Sequence, residues 1–134
     1  MLKSFLSKIG IGSLQVDTVV DNQVLEEGEI LNGTIYIDGG EADQMIDHIT
    51  LEVFVRTHNY SPDSDFDTID KPITRQSIEL VGDVRSKETR MIPFEIVPDE
   101  RWQIDPEKSS LMLKTTVHIP GGADAYDEDQ IQYG

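Results

Sequence analysis

The sequence predicts an all-β fold, an antiparallel β-sandwich, from three observations. Apolar and polar side chains alternate with a period of two in several stretches between residues 14 and 119. Clusters of Gly, Pro, Asp and Asn separate these stretches at short intervals. No stretch beyond the first twelve residues has the pattern of a strong helix. Strands with one apolar face must pack as two sheets to bury those faces.

The first twelve residues predict a short amphipathic helix. Leu2, Phe5, Leu6 and Ile9 recur at helical spacing, and two glycines end the pattern. This stripe is too short and too interrupted for a secretory signal. Leu2 and Phe5 are candidate contacts for a partner protein, a second lobe or a membrane surface, although a stripe of this length gives only marginal membrane binding.

Two half-buried strands follow, over residues 14–20 and 31–37. Their alternating apolar positions define an inward face on each strand. Gly33 in the second strand indicates a bulge or a close approach of another backbone. Gly39 and Gly40 end that strand and predict a turn with positive φ.

The clearest alternation runs from Ile49 to Val55 and predicts a strand at the centre of a sheet. Its outward face carries Phe54, and the outward face of the preceding strand carries Tyr36. An outward aromatic side chain is a candidate anchor for a partner protein. Packing of the ring against the sheet beneath a loop is the alternative interpretation.

A polar loop is predicted over residues 59–72, and it holds the sharpest local motif of the chain. Asp63, Asp65 and Asp67 have the alternate-carboxylate spacing that can surround Ca²⁺. The motif is not an EF-hand, because threonines occupy its sixth and twelfth positions. The three aspartates are therefore either a looser cation site, shared with another loop such as 127–129, or a solvated acidic loop.

Three more strands complete the predicted sandwich. Ile78 and Leu80 point inward on one, and an inward set from Ile92 to Ile96 lies on the next; residues 82–87 join these two as a hairpin. Pro93 cannot donate to a strand ladder, so its strand should lie at a sheet edge or carry a bulge at that point. An edge strand is a possible docking site for a partner. The last predicted strand spans residues 111–119.

Composition excludes several classes of function. The chain has 26 acidic and 11 basic side chains, and its formal charge of −15 repels nucleic acid and anionic lipid headgroups. It contains no cysteine, so disulfides and thiolate zinc sites are excluded, and a reducing, cytoplasmic location is expected. No stretch reaches the ~20 apolar residues that a membrane span needs.

The residues offer no catalytic constellation. The three histidines, at positions 48, 58 and 118, have no ligand spacing, and no serine lies in a Gly-x-Ser-x-Gly turn. A phosphate-binding glycine loop is also missing from the sequence. We therefore predict a non-enzymatic protein without a cofactor, which binds cytosolic protein partners; the alternative is a Ca²⁺-dependent β-sandwich binding domain.

Several short segments, in this order, resemble the stage-zero sporulation-control protein M family. The segments are Ile9-Gly10-Ile11-Gly12, Val16-Asp17-Thr18-Val19, Glu29 to Ile37 with Gly39-Gly40, Ile49 to Val53, Ile92 to Ile96, and Leu113-Lys114-Thr115 before an acidic tail. Together they cover nearly the whole chain. The resemblance implies an arrestin-like, immunoglobulin-like lobe and a regulatory adaptor or scaffold in sporulation.

Family members are about twice as long and have two lobes, so the resemblance implies that this chain corresponds to the N-terminal lobe. The expected organisation is a helix over 1–12, the lobe over 13–120, and an acidic linker or the start of a second lobe over 121–134. Residues 130–134 would then be a strand without partners in its own lobe. An open strand of this kind allows homodimerisation, and the second lobe is the other expected partner.

Overall fold

A computed structural model describes residues 14–59 and 67–134 of the chain. It contains eight strands and one 3₁₀ turn in these ranges. The strands are β1 (Gln15–Val20), β2 (Val24–Leu25), β3 (Leu31–Asp38), β4 (Gln44–Asn59), β5 (Asp67–Val84), β6 (Thr89–Ile96), β7 (Ser109–His118) and β8 (Ala125–Tyr133); the 3₁₀ turn is Glu100–Trp102.

The strands form two sheets, which confirms the predicted β-sandwich. One sheet has three strands in the order β1-β3-β6, and the other has five in the order β2-β8-β7-β4-β5. All pairs are antiparallel except β2 and β8, which are parallel. The predicted helix over 1–12 lies outside the described residues.

The core between the sheets is built from the inward positions of the alternating segments. Leu31, Ile35, Ile49, Leu51 and Leu113 are fully buried there. Trp102 closes one end of the core, where its Nε1 donates a hydrogen bond of 2.9 Å to Oγ1 of Thr74. The 3₁₀ turn that carries Trp102 therefore links the connection after β6 to β5.

Other atoms of the sheet approach Gly33 closely, as its position in a strand predicted, and only glycine leaves room for them. A Cβ atom at this residue would lie 2.7 Å from Cζ of Phe94 and 2.7 Å from the carbonyl oxygen of Val19. The ring of Phe94, on the neighbouring strand β6, thus occupies the space that a side chain on Gly33 would need.

The predicted polar loop over 59–72 is shorter than expected. Strand β5 begins at Asp67 and pairs with β4 from the start, so residues 67–72 belong to a long hairpin. A bulge at Ile73 turns that side chain into the core. Strand β4 itself lies between β5 and β7 in the interior of its sheet.

The predicted hairpin around residues 82–87 is wrong, because β5 and β6 belong to different sheets. The segment between them crosses from one sheet to the other. Gly39 packs against this crossing: its N–H donates to the carbonyl of Glu88 at 2.7 Å, and a Cβ atom would collide with the carbonyl of Arg85. Gly39 is therefore needed for space, and neither it nor Gly40 has the positive φ that was predicted.

The segment 121–134 is part of the sandwich, which corrects the prediction of a linker there. Strand β8 pairs with β7 from Ala125 to Ile131 and with β2 at its far end. Asp127 and Asp129 occupy inward positions of β8, so the strand lacks the apolar alternation by which the other strands were predicted. Because β8 has partners on both sides, the argument for dimerisation from a lone terminal strand does not apply.

Candidate functional site

The three-stranded sheet presents an apolar surface to solvent on its outward side. Cross-strand register places Val19, Thr34 and Pro93 in one row and Asp17, Tyr36 and Met91 in the next. We call the four apolar members, Val19, Tyr36, Met91 and Pro93, the outer apolar face. Val19 is 47% exposed and Met91 66%, while Tyr36 is half-buried and Pro93 exposed. Tyr36 and Pro93, predicted separately as partner contacts, thus lie on one surface.

Strand β6 forms the edge of this sheet, as Pro93 predicted. The carbonyl of Glu95 points away from β3, because it accepts a 3.0 Å hydrogen bond from Nε2 of Gln76 on β5. Backbone groups of alternate strand residues point the same way, so those of Pro93 and Met91 also face the open side. The missing N–H of Pro93 therefore costs no ladder hydrogen bond.

This edge is protected against the addition of another strand. Pro93 interrupts its row of backbone donors, and Gln76 occupies the carbonyl of Glu95. A groove of about 450 Å³ runs between the edges of the two sheets, beside Ile78, Pro93 and Phe94. The geometry of this edge consequently disfavours the addition of a strand from another chain along β6, and leaves the outer apolar face as the more accessible surface.

Phe54 does not belong to an exposed surface, although it lies on the outward side of the five-stranded sheet. Its side chain is only 3% exposed. The guanidinium carbon of Arg56 lies 5.1 Å from the ring centroid, and Pro72 and Met112 flank Phe54 on the neighbouring strands. Phe54 is therefore a packed residue of the sheet face, which was the alternative interpretation, and a partner could not reach it in this conformation.

Arg56 links three strands over that ring. Its Nε and Nη2 donate to the two carboxylate oxygens of Asp70 at 2.9 and 3.1 Å, and Nη2 lies 3.5 Å from Oε1 of Glu128. The hydrogen bonds from Arg56 lower the pKa of the Asp70 carboxyl below its ordinary value. The pKa of Arg56 is raised by the same partner.

Four predicted site residues lie outside the described residues: Leu2, Phe5, Asp63 and Asp65. Asp67 is the first residue of β5, where it pairs with Asn59, and it is thus part of a strand. Within residues 14–59 and 67–134, no three His, Asp or Glu side chains are grouped as metal ligands. The aspartate cation site remains a prediction from the sequence.

No sequence pattern indicated that His48 and His118 meet. They are register partners on β4 and β7, and their rings stack with centroids 4.1 Å apart and planes 15° from parallel. Nδ1 of His48 lies 2.7 Å from Oδ2 of Asp47, and Nδ1 of His118 lies 3.0 Å from Oδ2 of Asp124. Seventy positions separate the two histidines, so only the strand register could reveal the pair.

A second concave region lies at the end of the sandwich, next to the last residues of the chain. This cleft has a volume of about 460 Å³, and its apolar lining includes Ile104, Pro106, Leu111 and Tyr133. No helix in the part of the chain that the structure describes has the length and apolar character needed to cross a membrane.

These features define a β-sandwich domain with one exposed apolar sheet face and a protected edge. The chain belongs to the SpoOM protein family, whose model matches residues 2–133. It is 28% identical over 131 residues to the sporulation-control protein spo0M of Bacillus subtilis (strain 168), a match that covers 96% of this chain and 50% of that protein. The chain thus spans about half the length of this curated relative.

Solved structures agree with the fold. The crystal structure of Spo0M from Bacillus subtilis superposes with a TM-score of 0.76 at 26% identity, over 92% of this chain and 50% of that one. A DUF4466 family protein from Parabacteroides merdae matches with a TM-score of 0.55 at 8% identity, over 91% of this chain and 46% of that one. The CARDB domain of a Pyrococcus furiosus protein, solved with di-metal ions, matches with a TM-score of 0.52 at 11% identity over 96% of both chains. The last two show a shared fold alone.

Proposed function

We propose that this domain is a non-enzymatic regulatory module that binds cytosolic protein partners through the outer apolar face, within a protein that controls sporulation. The family and the name of the Bacillus subtilis relative support the regulatory part of this proposal. The observation that carries the binding part is the exposure of Val19 and Met91 beside Tyr36 and Pro93. Contiguous apolar side chains on a surface favour contact with another protein.

The chemistry of the surface also indicates the kind of partner. An apolar patch gains free energy when a partner removes it from water, roughly 25 cal/mol for each Å² buried. The surrounding protein carries a formal charge of −15, which favours a partner with basic groups around an apolar centre. The proposal assigns no bond-making or bond-breaking step to this chain.

Affinity capture from a spore-forming cell tests the proposal. The bait is this domain, and the variant Met91→Glu places a charge in the middle of the outer apolar face. Met45→Glu is the matched control, because Met45 is 60% exposed on β4, in the other sheet. We expect quantitative mass spectrometry to find proteins retained by the wild-type and Met45→Glu baits and lost from Met91→Glu. Equal retention by both variants would contradict the proposed surface.

A second experiment measures the regulatory role directly. In Bacillus subtilis, the half of spo0M that matches this chain is replaced by this chain, and heat-resistant spores are counted. We expect the chimera and its Met45→Glu variant to behave like the native gene, and Met91→Glu to behave like the deletion at an equal protein level. A chimera that never differs from the deletion would contradict the sporulation role itself.

The remaining half of a full-length family protein is a further partner in this proposal. The cleft beside Tyr133 offers it an apolar contact at the end of β8. If the second half packs there, the full-length protein should protect the amides of β8 from hydrogen exchange more strongly than the isolated domain does. Identical protection would place the second half elsewhere.

A further inference from the structure

Strands β1 and β8 meet at one corner of the sandwich, although they belong to different sheets. Side chains make the connection. The backbone N–H of Thr18 donates to Oδ2 of Asp127 at 2.8 Å, and Oγ1 of Thr18 donates to Oγ1 of Thr115 at 2.7 Å. Asp127 and Thr115 are fully buried, and Thr18 is nearly so. A carboxylate thus caps the free edge of β1 inside the protein.

Asp17 brings a second carboxyl group to the same place. Its side chain is 5% exposed, and it lies within hydrogen-bonding reach of Asp127. When both groups are ionised, Oδ2 of Asp17 and Oδ1 of Asp127 are buried without a hydrogen-bond partner, since neither carboxylate has a hydrogen to donate. One added proton turns the two groups into a hydrogen-bond donor and an acceptor.

The surrounding charges favour that proton. No Lys or Arg forms an ion pair with Asp17 or Asp127 among the described residues. Burial and the negative charge of Asp127 raise the pKa of Asp17, and Asp38 on β3 adds to the effect. Asp129, two residues beyond Asp127 on the same side of β8, adds a further carboxyl group.

We propose that Asp17 and Asp127 share one proton, and that this carboxyl pair is a pH-sensitive latch between the two sheets. Below the ordinary pKa of an aspartate the shared hydrogen bond is complete. As the pH rises through the folded-state value the proton leaves, and two buried negative charges then oppose each other. The latch consequently stabilises the fold in acid, and this contribution is lost toward alkaline pH.

The carboxyl pair is adjacent to the outer apolar face. Asp17 stands in the same cross-strand row as Tyr36 and Met91, so a loosened β1 would alter the border of the outer apolar face. The proton-sharing pair itself does not depend on the proposed function, and the experiments below measure it without a partner protein.

Carbon NMR of aspartate carboxyl groups tests the shared proton in the wild-type protein. We expect the carboxyl of Asp17 to titrate at a higher pH than an ordinary aspartate, whose pKa is 3.8, and Asp17→Asn to remove that transition from the spectrum. The proposal is overturned if Asp17 titrates at or below that ordinary value.

Thermal unfolding of variants tests the latch. Asp17→Asn supplies a permanent amide donor to Asp127, so we expect a melting temperature above wild type by about 3–5 °C at pH 8 and a smaller difference at pH 4.5. Asp21→Asn, on the exposed surface, controls for the change in net charge. Asp127→Ala removes the acceptor of the Thr18 N–H and should lower the melting temperature at both pH values.

Two outcomes would overturn the latch. Equal shifts in melting temperature for Asp17→Asn and Asp21→Asn, independent of pH, would show that the stabilisation comes from the change in net charge alone. Stabilisation of the wild type by millimolar Ca²⁺ at pH 8, absent from Asp17→Asn, would show that the two carboxylates hold a cation instead of a proton.

Discussion

His48 and His118 stack face to face across β4 and β7, and each ring is held by an aspartate. The hydrogen bonds that hold the two rings differ. Nε2 of His118 lies 2.9 Å from Oγ1 of Thr50, and its partner Asp124 also accepts the N–H of Ile119 at 3.1 Å. His118 is therefore tied both to β4 and to the turn before β8, whereas His48 is bonded to its own neighbour, Asp47.

We expect His118→Ala to destabilise the domain more than His48→Ala, by about 1 kcal/mol, because the His118 side chain makes two hydrogen bonds and that of His48 makes one. Urea unfolding of both variants and of the double variant measures the difference and the coupling between the rings. An equal loss for the two single variants would show that the tethers of His118 contribute nothing beyond the stack.

Arg56 and Asp70 form a pH-dependent ion pair on the same sheet. Because Arg56 lowers the pKa of Asp70 in the folded state, the pair stabilises the fold above the ordinary aspartate value of 3.8 and loses this contribution as the pH falls through the folded-state value. The Asp70 side chain is 44% exposed, so water screens the interaction. We expect Asp70→Asn to cost less than about 1 kcal/mol at pH 7.

Urea midpoints of wild type and Asp70→Asn at pH 7 and pH 3 check this prediction, with Asp21→Asn as the control for charge. The difference between wild type and Asp70→Asn should shrink at pH 3. A difference that grows in acid would contradict the assigned direction.

Gly33→Ala should overpack the contact between β3 and β6. The added methyl group would meet the Phe94 ring and the Val19 carbonyl at 2.7 Å, so the strands must separate to admit it. We expect a loss of about 1–3 kcal/mol in the free energy of unfolding. Asn32→Ala, at the adjacent exposed position, is the control and should be close to neutral; a neutral Gly33→Ala would mean that Phe94 moves aside freely.

Trp102 offers an internal probe, because it is the chain's single tryptophan. Its ring is fully buried, and it meets the Tyr133 ring edge-on with centroids 5.8 Å apart. We expect blue-shifted fluorescence that moves to longer wavelengths on unfolding. Trp102→Phe should cost about 1–3 kcal/mol, since it leaves Thr74 without its donor and opens a cavity.

Calorimetry of Trp102→Phe and Thr74→Val separates these two effects. Thr74→Val removes the hydrogen bond and keeps the indole ring in place. If both variants lose the same stability, the hydrogen bond accounts for the effect; a larger loss for Trp102→Phe assigns the excess to packing.

The candidate surface could be predicted in part. Outward aromatic positions and a proline in a strand are visible in a sequence, and they correctly placed Tyr36 on an outward face and Pro93 at an edge. The same reasoning selected Phe54, whose burial depends on Arg56 and on flanking residues of other strands. Alternation tells which side of a strand a residue takes, but it does not tell what covers that side.

The sequence by itself determined the fold class, the strands over 14–20, 31–37 and 49–55, and the choice of an edge or a bulge at Pro93, because alternation and proline act locally along the chain. Only the tertiary structure decided that β5 and β6 lie in different sheets, that His48 meets His118, and that Asp17 meets Asp127. These contacts join residues far apart in the chain. Their formation depends on strand register and sheet packing, which are set by the burial of the whole core and not by any local pattern.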